Sequence, residues 1–221
     1  MRYFNSIALL LLVCCSAFAQ KKDSVNIRMF IPTSIRVGVD VVSIAKTEFG
    51  KSFEGFETAV DVDLYRYYPT VEFGNSASSY VSLNGSTYAN EGNYWRAGID
   101  VNFLKKDPEK NMFFLGARYG RSKYSENATL INTDPVWGDY TETLTNTDLT
   151  ASWMELTTGV KVKVWRLFWL GYTARFKFWK KLDDSQELLT SEVPGYGWTD
   201  RETTWGFSYY ALVKIPLPKK K

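Results

Sequence analysis

Period-two alternation of apolar and polar residues recurs in eight segments of this chain, and no other feature restricts its fold as much. Successive side chains of a strand point to opposite faces, so each segment reads as a strand with one apolar and one polar face. The sixth is the clearest: Met154, Leu156, Thr158, Val160, Val162 and Val164 share one face, and Glu155, Thr157, Gly159, Lys161 and Lys163 the other. The fourth sets Trp95, Ala97, Ile99, Val101 and Phe103 against Tyr94, Arg96, Gly98, Asp100 and Asn102. The second sets Phe56, Thr58, Val60, Val62 and Leu64 against Glu57, Ala59, Asp61, Asp63 and Tyr65. The seventh sets Leu170 to Phe178 against Gly171, Thr173, Arg175 and Lys177, and the eighth sets Trp205 to Ile215 against Gly206, Ser208, Tyr210, Leu212 and Lys214. The fifth starts at Met112, with Phe113, Leu115, Ala117 and Tyr119 opposite Gly116, Arg118 and Gly120. The first places Ile35, Val37, Val39 and Val41 opposite Arg36, Gly38 and Asp40; its phase slips at Val42, which predicts a bulge or the strand end there. The third, Thr70 to Val81, is the least regular, and no segment carries a convincing helical period.

Each segment is about the ~9–11 residues that a tilted strand needs to cross a bilayer. Tight turns are expected at Arg66-Tyr67-Tyr68-Pro69, Lys105 to Lys110 and Trp165-Arg166-Leu167. Longer polar loops are expected over Thr47 to Phe53, Ser82 to Glu91, Ser125 to Leu149 and Lys181 to Glu202. Short turns at one end and long loops at the other are the asymmetry of an outer-membrane barrel. Aromatic residues gather at both strand ends. Tyr65, Tyr67, Tyr68, Phe103, Phe113, Trp165, Phe168 and Trp169 lie near the short turns, and Tyr80, Trp95, Tyr124, Trp153, Trp179 and Trp205 near the long loops. Two such bands fit two membrane interfaces. The fold expected over residues 34–218 is all-β, an eight-stranded antiparallel up-and-down transmembrane β-barrel with both termini on the short-turn side.

The chain start reads as an export signal over residues 1–19. Arg2 is the positive end, Ile7 to Val13 the apolar core, and Ala17-Phe18-Ala19 the cleavage pattern, followed by a periplasmic segment over 20–33. Cleavage there removes Cys14 and Cys15, both cysteines of the chain. After residue 20 no stretch approaches the ~18 apolar residues of a membrane helix; Val164 to Tyr172 comes nearest, and Arg166 interrupts it.

The polar face carries Arg36, Arg96, Arg118, Lys161, Lys163, Arg175 and Lys177, balanced by Asp40, Glu57, Asp61, Asp63, Glu72, Asp100 and Glu155. A soluble lipocalin-like barrel would turn its apolar face inward. A membrane barrel would turn these charges into its lumen, where they can pair while glycines make room for them. The lumen network is expected to consist of Arg36, Asp40, Asp61, Asp63, Arg96, Asp100, Arg118, Glu155, Lys161, Lys163, Arg175 and Lys177, with a structural role. An internal repeat, R-x-G-x-D-V at Arg36–Val41 and Arg96–Val101, reads as a reused way of packing ion pairs rather than a ligand site.

The run Ile35 to Val41, the turn entry Phe53-Glu54-Gly55-Phe56-Glu57 and the stretch from Tyr67-Tyr68-Pro69 to Glu72-Phe73-Gly74 resemble small outer-membrane β-barrel proteins of Bacteroidota in a domain-of-unknown-function group. The Ala17-Phe18-Ala19-Gln20 signal end is also similar to theirs. The resemblance implies an outer-membrane location and transfers no catalytic residue. Some small barrels of that phylum are subunits of machines for protein export or outer-membrane protein insertion.

The chain contains no histidine, so Ser-His-Asp and Cys-His nucleophiles, a histidine base and histidine metal ligands are excluded. Its formal charge of +3 is too small to argue for nucleic acid. Asp183-Asp184 reads as a solvated loop pair, and Asn127-Ala128-Thr129 as ordinary loop composition. The expected role is a non-enzymatic structural or accessory subunit of an outer-membrane complex, contacting lipid and other surface proteins through its long loops, with no cofactor. The alternative is a small-solute binding or transport barrel.

Overall fold

The computed structural model describes residues 30–104, 107–134, 138–182 and 188–218. The signal segment 1–19, most of 20–33, Lys105, Lys106 and the Asp183-Asp184 pair lie outside the described residues. The strands are β1 (Ser34–Asp40), β2 (Phe53–Asp63), β3 (Tyr67–Val81), β4 (Thr87–Asn102), β5 (Met112–Asp134), β6 (Gly138–Trp165), β7 (Phe168–Leu182), the short β8 (Glu192–Val193) and β9 (Gly197–Trp198), and β10 (Thr204–Pro216). One helix, α1 (Val41–Phe49), follows β1.

Eight strands close into a ring in the order β1-β10-β7-β6-β5-β4-β3-β2, every neighbour antiparallel, so each consecutive pair is an up-and-down connection. Closure runs from Ser34↔Pro216 to Asp40↔Tyr210 and leaves neither end strand as an edge. Ser34 also faces Asp63, so the start of β1, the end of β10 and the β2–β3 turn share one rim.

The alternation resolves as charged inside and apolar outside. Glu57, Ala59, Asp61 and Asp63 of β2 are buried, whereas Phe56 is 45% exposed. On β6, Glu155, Thr157 and Lys161 are buried while Leu156, Val160, Val162 and Val164 are exposed. The ring is thus built opposite to a soluble barrel with an apolar interior. No described helix is long and apolar enough to cross a membrane.

One expectation is refined and two are corrected; β1 does end at the phase slip, at Asp40. The phase slip at Val42 is the start of a helix: Asp40 caps α1, its carboxylate accepting from the Val42 amide (3.1 Å) and the Ser43 hydroxyl (2.8 Å). A nine-residue helix is too short to show a clear period against its flanking strands. The loops expected over Ser82–Glu91 and Ser125–Leu149 are largely strand. β3 and β4 pair up to Val81↔Thr87, and β5 and β6 up to Asp134↔Gly138. Their polar Ser, Thr and Asn side chains meet solvent outside and polar groups such as Glu126 and Asn146 inside, so they carry no apolar alternation to read. Finally, Tyr68, Tyr124, Trp153 and Trp169 belong to neither outer aromatic band; all four are buried inside the ring.

The ring is uneven in height. At 23 and 28 residues, β5 and β6 run far above β10 (13 residues) and β1 (7 residues). At ~3.3 Å per residue β6 spans roughly 90 Å, well over twice a tilted bilayer crossing.

Candidate functional site

The interior of the ring is an ion-pair network with aromatic caps above and below. Its lower end begins with Arg36, whose Nε lies 2.7 Å from Asp61 Oδ1 and whose guanidinium stands over the Tyr68 and Trp169 rings at 4.7 and 5.2 Å. Lys161 joins Asp61 (2.8 Å) to Asp100 (3.5 Å), and Asp100 accepts two bonds from Arg118 Nη2 (2.9 and 3.1 Å). Arg118 continues to Glu72. Glu72 is the hub: Arg96 Nε is 2.8 Å away, and Arg175 reaches it with Nη1 at 3.0 Å and Nη2 at 3.1 Å. Arg175 and Arg96 also reach Glu155, at 3.2 and 3.7 Å. Glu57 closes the upper end, pairing with Arg96, accepting from Tyr94 Oη at 2.6 Å and bonding Tyr210.

Five cations (Arg36, Arg96, Arg118, Lys161, Arg175) thus meet five carboxylates (Glu57, Asp61, Glu72, Asp100, Glu155), and each of these residues is at most 3% exposed. Isolated buried charges are prohibitively costly, so charge balance and dense pairing are what this interior requires. Neutral side chains join it: Trp153 Nε1 donates to Glu155 (2.7 Å), and Tyr210 Oη accepts from Arg175 (2.6 Å).

Eight of the twelve residues expected in the network are brought together: Arg36, Asp61, Arg96, Asp100, Arg118, Glu155, Lys161 and Arg175. Four are not. Asp40 caps α1 and accepts from the Tyr209 amide (2.9 Å). Asp63 pairs with Lys110 (2.8 Å) and Lys163 with Glu109, both at the short-turn rim. Lys177 is buried, but its ammonium donates to the backbone carbonyls of Gly195 and Tyr196, both at 2.8 Å. Strand parity places all four on the inner face and says nothing of their height in the ring. Glu57 and Glu72 stand on that face too, and parity does not single out their places in the network for the same reason. The R-x-G-x-D-V repeat does not pair with itself: Arg36 takes Asp61, Asp100 takes Arg118, and Asp40 leaves the network.

Above the network, the β8–β9 hairpin folds into the mouth. Val193 and Tyr196 are buried against Tyr94, Tyr124, Leu149 and Trp153, with Tyr196 edge-on to Trp153 at 5.7 Å. The tall β3–β6 wall holds the same segment. Tyr80 Oη donates to Glu192 (2.8 Å), Asn90 Nδ2 to the Glu192 carbonyl (2.7 Å), and Thr190 to Glu126 (3.0 Å), a buried carboxylate that also accepts from Tyr88 (2.7 Å) and Asn146 (3.0 Å). Burial pushes the Glu192 carboxyl above its ordinary value, and burial together with Glu192 pushes the Tyr80 phenol up to about 12. A vestibule of about 430 Å³ remains between α1 and the hairpin, lined by Asp40, Glu57, Lys177 and Glu192 among others. Among the described residues, no group of three or more His, Cys, Asp or Glu is arranged to hold a metal ion.

No curated protein and no solved structure matches this chain. One family model does, described as a domain of unknown function, DUF6048, and it covers residues 1–220. The match spans every strand of the ring, both halves of the ion-pair network and the hairpin that closes it, and the chain belongs to the DUF6048 family.

Proposed function

We propose that this chain is an outer-membrane β-barrel acting as a non-enzymatic structural or accessory subunit of an outer-membrane complex, in protein export or outer-membrane protein assembly. The observation that carries the reading is the sidedness of the ring: a neutralised charge network fills its interior while its exposed outer face is apolar. From Met154 to Val164 the outer face of β6 runs ten steps. At ~3.4 Å per step and a tilt of ~40° it rises about 26 Å, the height of a lipid-facing band. Trp95 and Tyr119, 5.7 Å apart, stand at one end of the outer face, and Phe103 with Phe113 and Trp165 with Phe168 at the other. Amphipathic rings favour the headgroup level.

The partner-facing element is the β5–β6 hairpin beyond the bulge at Tyr124/Glu126. It rises past the last β6–β7 pair, Ala151↔Leu182, and its β6 arm carries Asp139, Glu142 and Asp148 without a basic residue from Gly138 to Thr150. Outer-membrane fractionation and heat-modifiable migration test the location; recovery in the soluble periplasmic fraction overturns it. Affinity capture in mild detergent tests the role. A stoichiometric partner, lost when residues 127–145 are replaced by a short turn, is the expected result. Free monomer under several solubilising conditions overturns the subunit reading.

The vestibule favours the second reading, binding of a small solute at the mouth. A transport version requires conductance in a planar bilayer, and the filled interior argues for none.

A further inference from the structure

Just above the apolar band, the outer surface is divided by charge. On the β2–β4 side the outward cleft holds Glu54 and Glu91, with the mutually paired Lys123 and Asp148 on its far wall. On the β5–β7 side it is basic. Arg121 pairs in register with Ser152, and Ser152 with Lys181, so the two cations flank one serine from the strands on either side, each about 5 Å away across the sheet. Two residues further down the same faces lie Tyr119 and Met154, and Met154 pairs with Phe178.

Lys181 reaches this face through an irregularity. Unbroken alternation from Phe178 would turn Lys180 outward and Lys181 inward. Instead β7 carries one extra residue between its pairs with Met154 and Ser152, and Trp179 sits at φ +52°. A tryptophan at positive φ is strained backbone. The bulge sends Lys180 to the loop carbonyl of Arg201 (2.6 Å) and presents Lys181 beside Ser152. The cleft so formed, about 470 Å³, is lined by Tyr119, Arg121, Thr150, Ser152, Lys181 and Leu182. Among the described residues neither Arg121 nor Lys181 is in an ion pair, whereas nearby Lys123 is paired with Asp148 at 2.8 Å.

We propose that this cleft binds the phosphate of a lipid headgroup, in the leaflet at the long-hairpin end of the ring. The proposal rests on the membrane reading above. A guanidinium fork and an ammonium are the groups that recognise phosphate, and the Ser152 and Thr150 hydroxyls add neutral donors. The apolar surface below, through Tyr119, Met154 and Phe178, takes the acyl chains. A free anion would have only exposed, salt-screened charges to hold it, which is why a lipid is the occupant.

The test uses the full chain reconstituted into vesicles of zwitterionic phospholipid, with and without a minor fraction of lipid A. Native mass spectrometry after mild extraction counts the lipid A retained. Retention by the wild type is expected, with a loss of about ten-fold in the Arg121→Gln, Lys181→Gln double variant and none in Glu54→Gln. Equal retention by wild type and double variant overturns the site, as does displacement of the lipid by millimolar inorganic phosphate. Heat-modifiable migration of each protein separates the two layers of inference. Normal insertion with equal retention removes this site alone, while failure of the wild type to insert removes the membrane reading itself.

Discussion

Arg175 and Glu72, 103 residues apart in the chain, face each other at the centre of the ring as a two-point ion pair, Nη1–Oε2 3.0 Å and Nη2–Oε1 3.1 Å. The Nη2–Oε1 contact is a charge-assisted hydrogen bond, and the Nη1–Oε2 approach adds Coulombic attraction. The pair ties β7 to β3, which lie on opposite sides of the closed sheet and share no ladder. Arg96 and Arg118 reach the same carboxylate.

Removing that one carboxylate charge leaves three buried guanidinium groups short of a partner. Glu72→Gln is therefore expected to destabilise the ring by about 3–5 kcal/mol, the cost of breaking a buried pair from one side. Adding Arg175→Met restores the balance of charge and is expected to recover a substantial part of the loss. Urea unfolding in micelles checks both. A Glu72→Gln variant as stable as the wild type contradicts the hub role.

Gly120 shows why the inner face needs glycine beside its largest side chains. It faces Trp153 across the β5–β6 ladder, and a Cβ at Gly120 would meet the indole. That indole donates to Glu155 and packs edge-on against Tyr196 of the mouth hairpin. Gly120→Ala is expected to cost about 1–3 kcal/mol as overpacking. It is also expected to lower hydrogen-exchange protection at Val193 and Tyr196, since displacement of Trp153 loosens both contacts. Loss of global stability with full protection of the hairpin would break the proposed link.

The strands and their two faces were legible in the sequence because a barrel with one wet and one apolar side writes its geometry with period two. Residues such as Glu57 and Glu155 were assigned to the inner face by parity alone. What parity does not carry is height. Arg118, Glu155 and Lys177 are successive ladder neighbours, yet Arg118 bonds Glu72 and Asp100, and Lys177 bonds backbone carbonyls. In a closed sheet the tilt of the strands sends neighbouring side chains to different levels, and register is set by contacts far apart in sequence. The long hairpins were illegible for another reason: beyond Tyr124 both faces meet solvent or polar groups, so Asn127 and Thr145 pair in a strand without an apolar stripe to announce it.

Glu192 makes the closure of the mouth sensitive to pH. Its carboxyl is raised above the ordinary 4.5 chiefly by burial, and the hydrogen bond from Tyr80 only partly offsets this. The protonated acid is the form favoured when the hairpin is docked. Its stabilisation is complete below the unfolded pKa and is lost as pH rises through the higher folded value. Hydrogen-exchange protection of Val193 to Trp198, corrected for the intrinsic rate, is expected to fall as pH is raised over the interval above the ordinary glutamate value. Glu192→Gln is expected to flatten that slope. Protection that rises over the same interval would reverse the assigned sign.

Lys177 holds the hairpin from below. Its ammonium donates to the Gly195 and Tyr196 carbonyls at 2.8 Å each, and among the described residues it is the one buried cation that spends its bonds on backbone rather than carboxylate. Lys177→Met keeps the four-atom stem of the side chain and removes both charge-assisted bonds, each worth about 1.5–3 kcal/mol. It also removes the cost of burying a charge, so global stability is expected to change little. The effect concentrates on the hairpin, where amide protection at 193–198 is expected to drop by at least ten-fold, about 1.4 kcal/mol of local opening. The five-against-five network below the hairpin still fills the ring, so a planar-bilayer recording of the same variant is expected to stay silent. Conductance through Lys177→Met would show that the hairpin, and not the network, is what closes the interior.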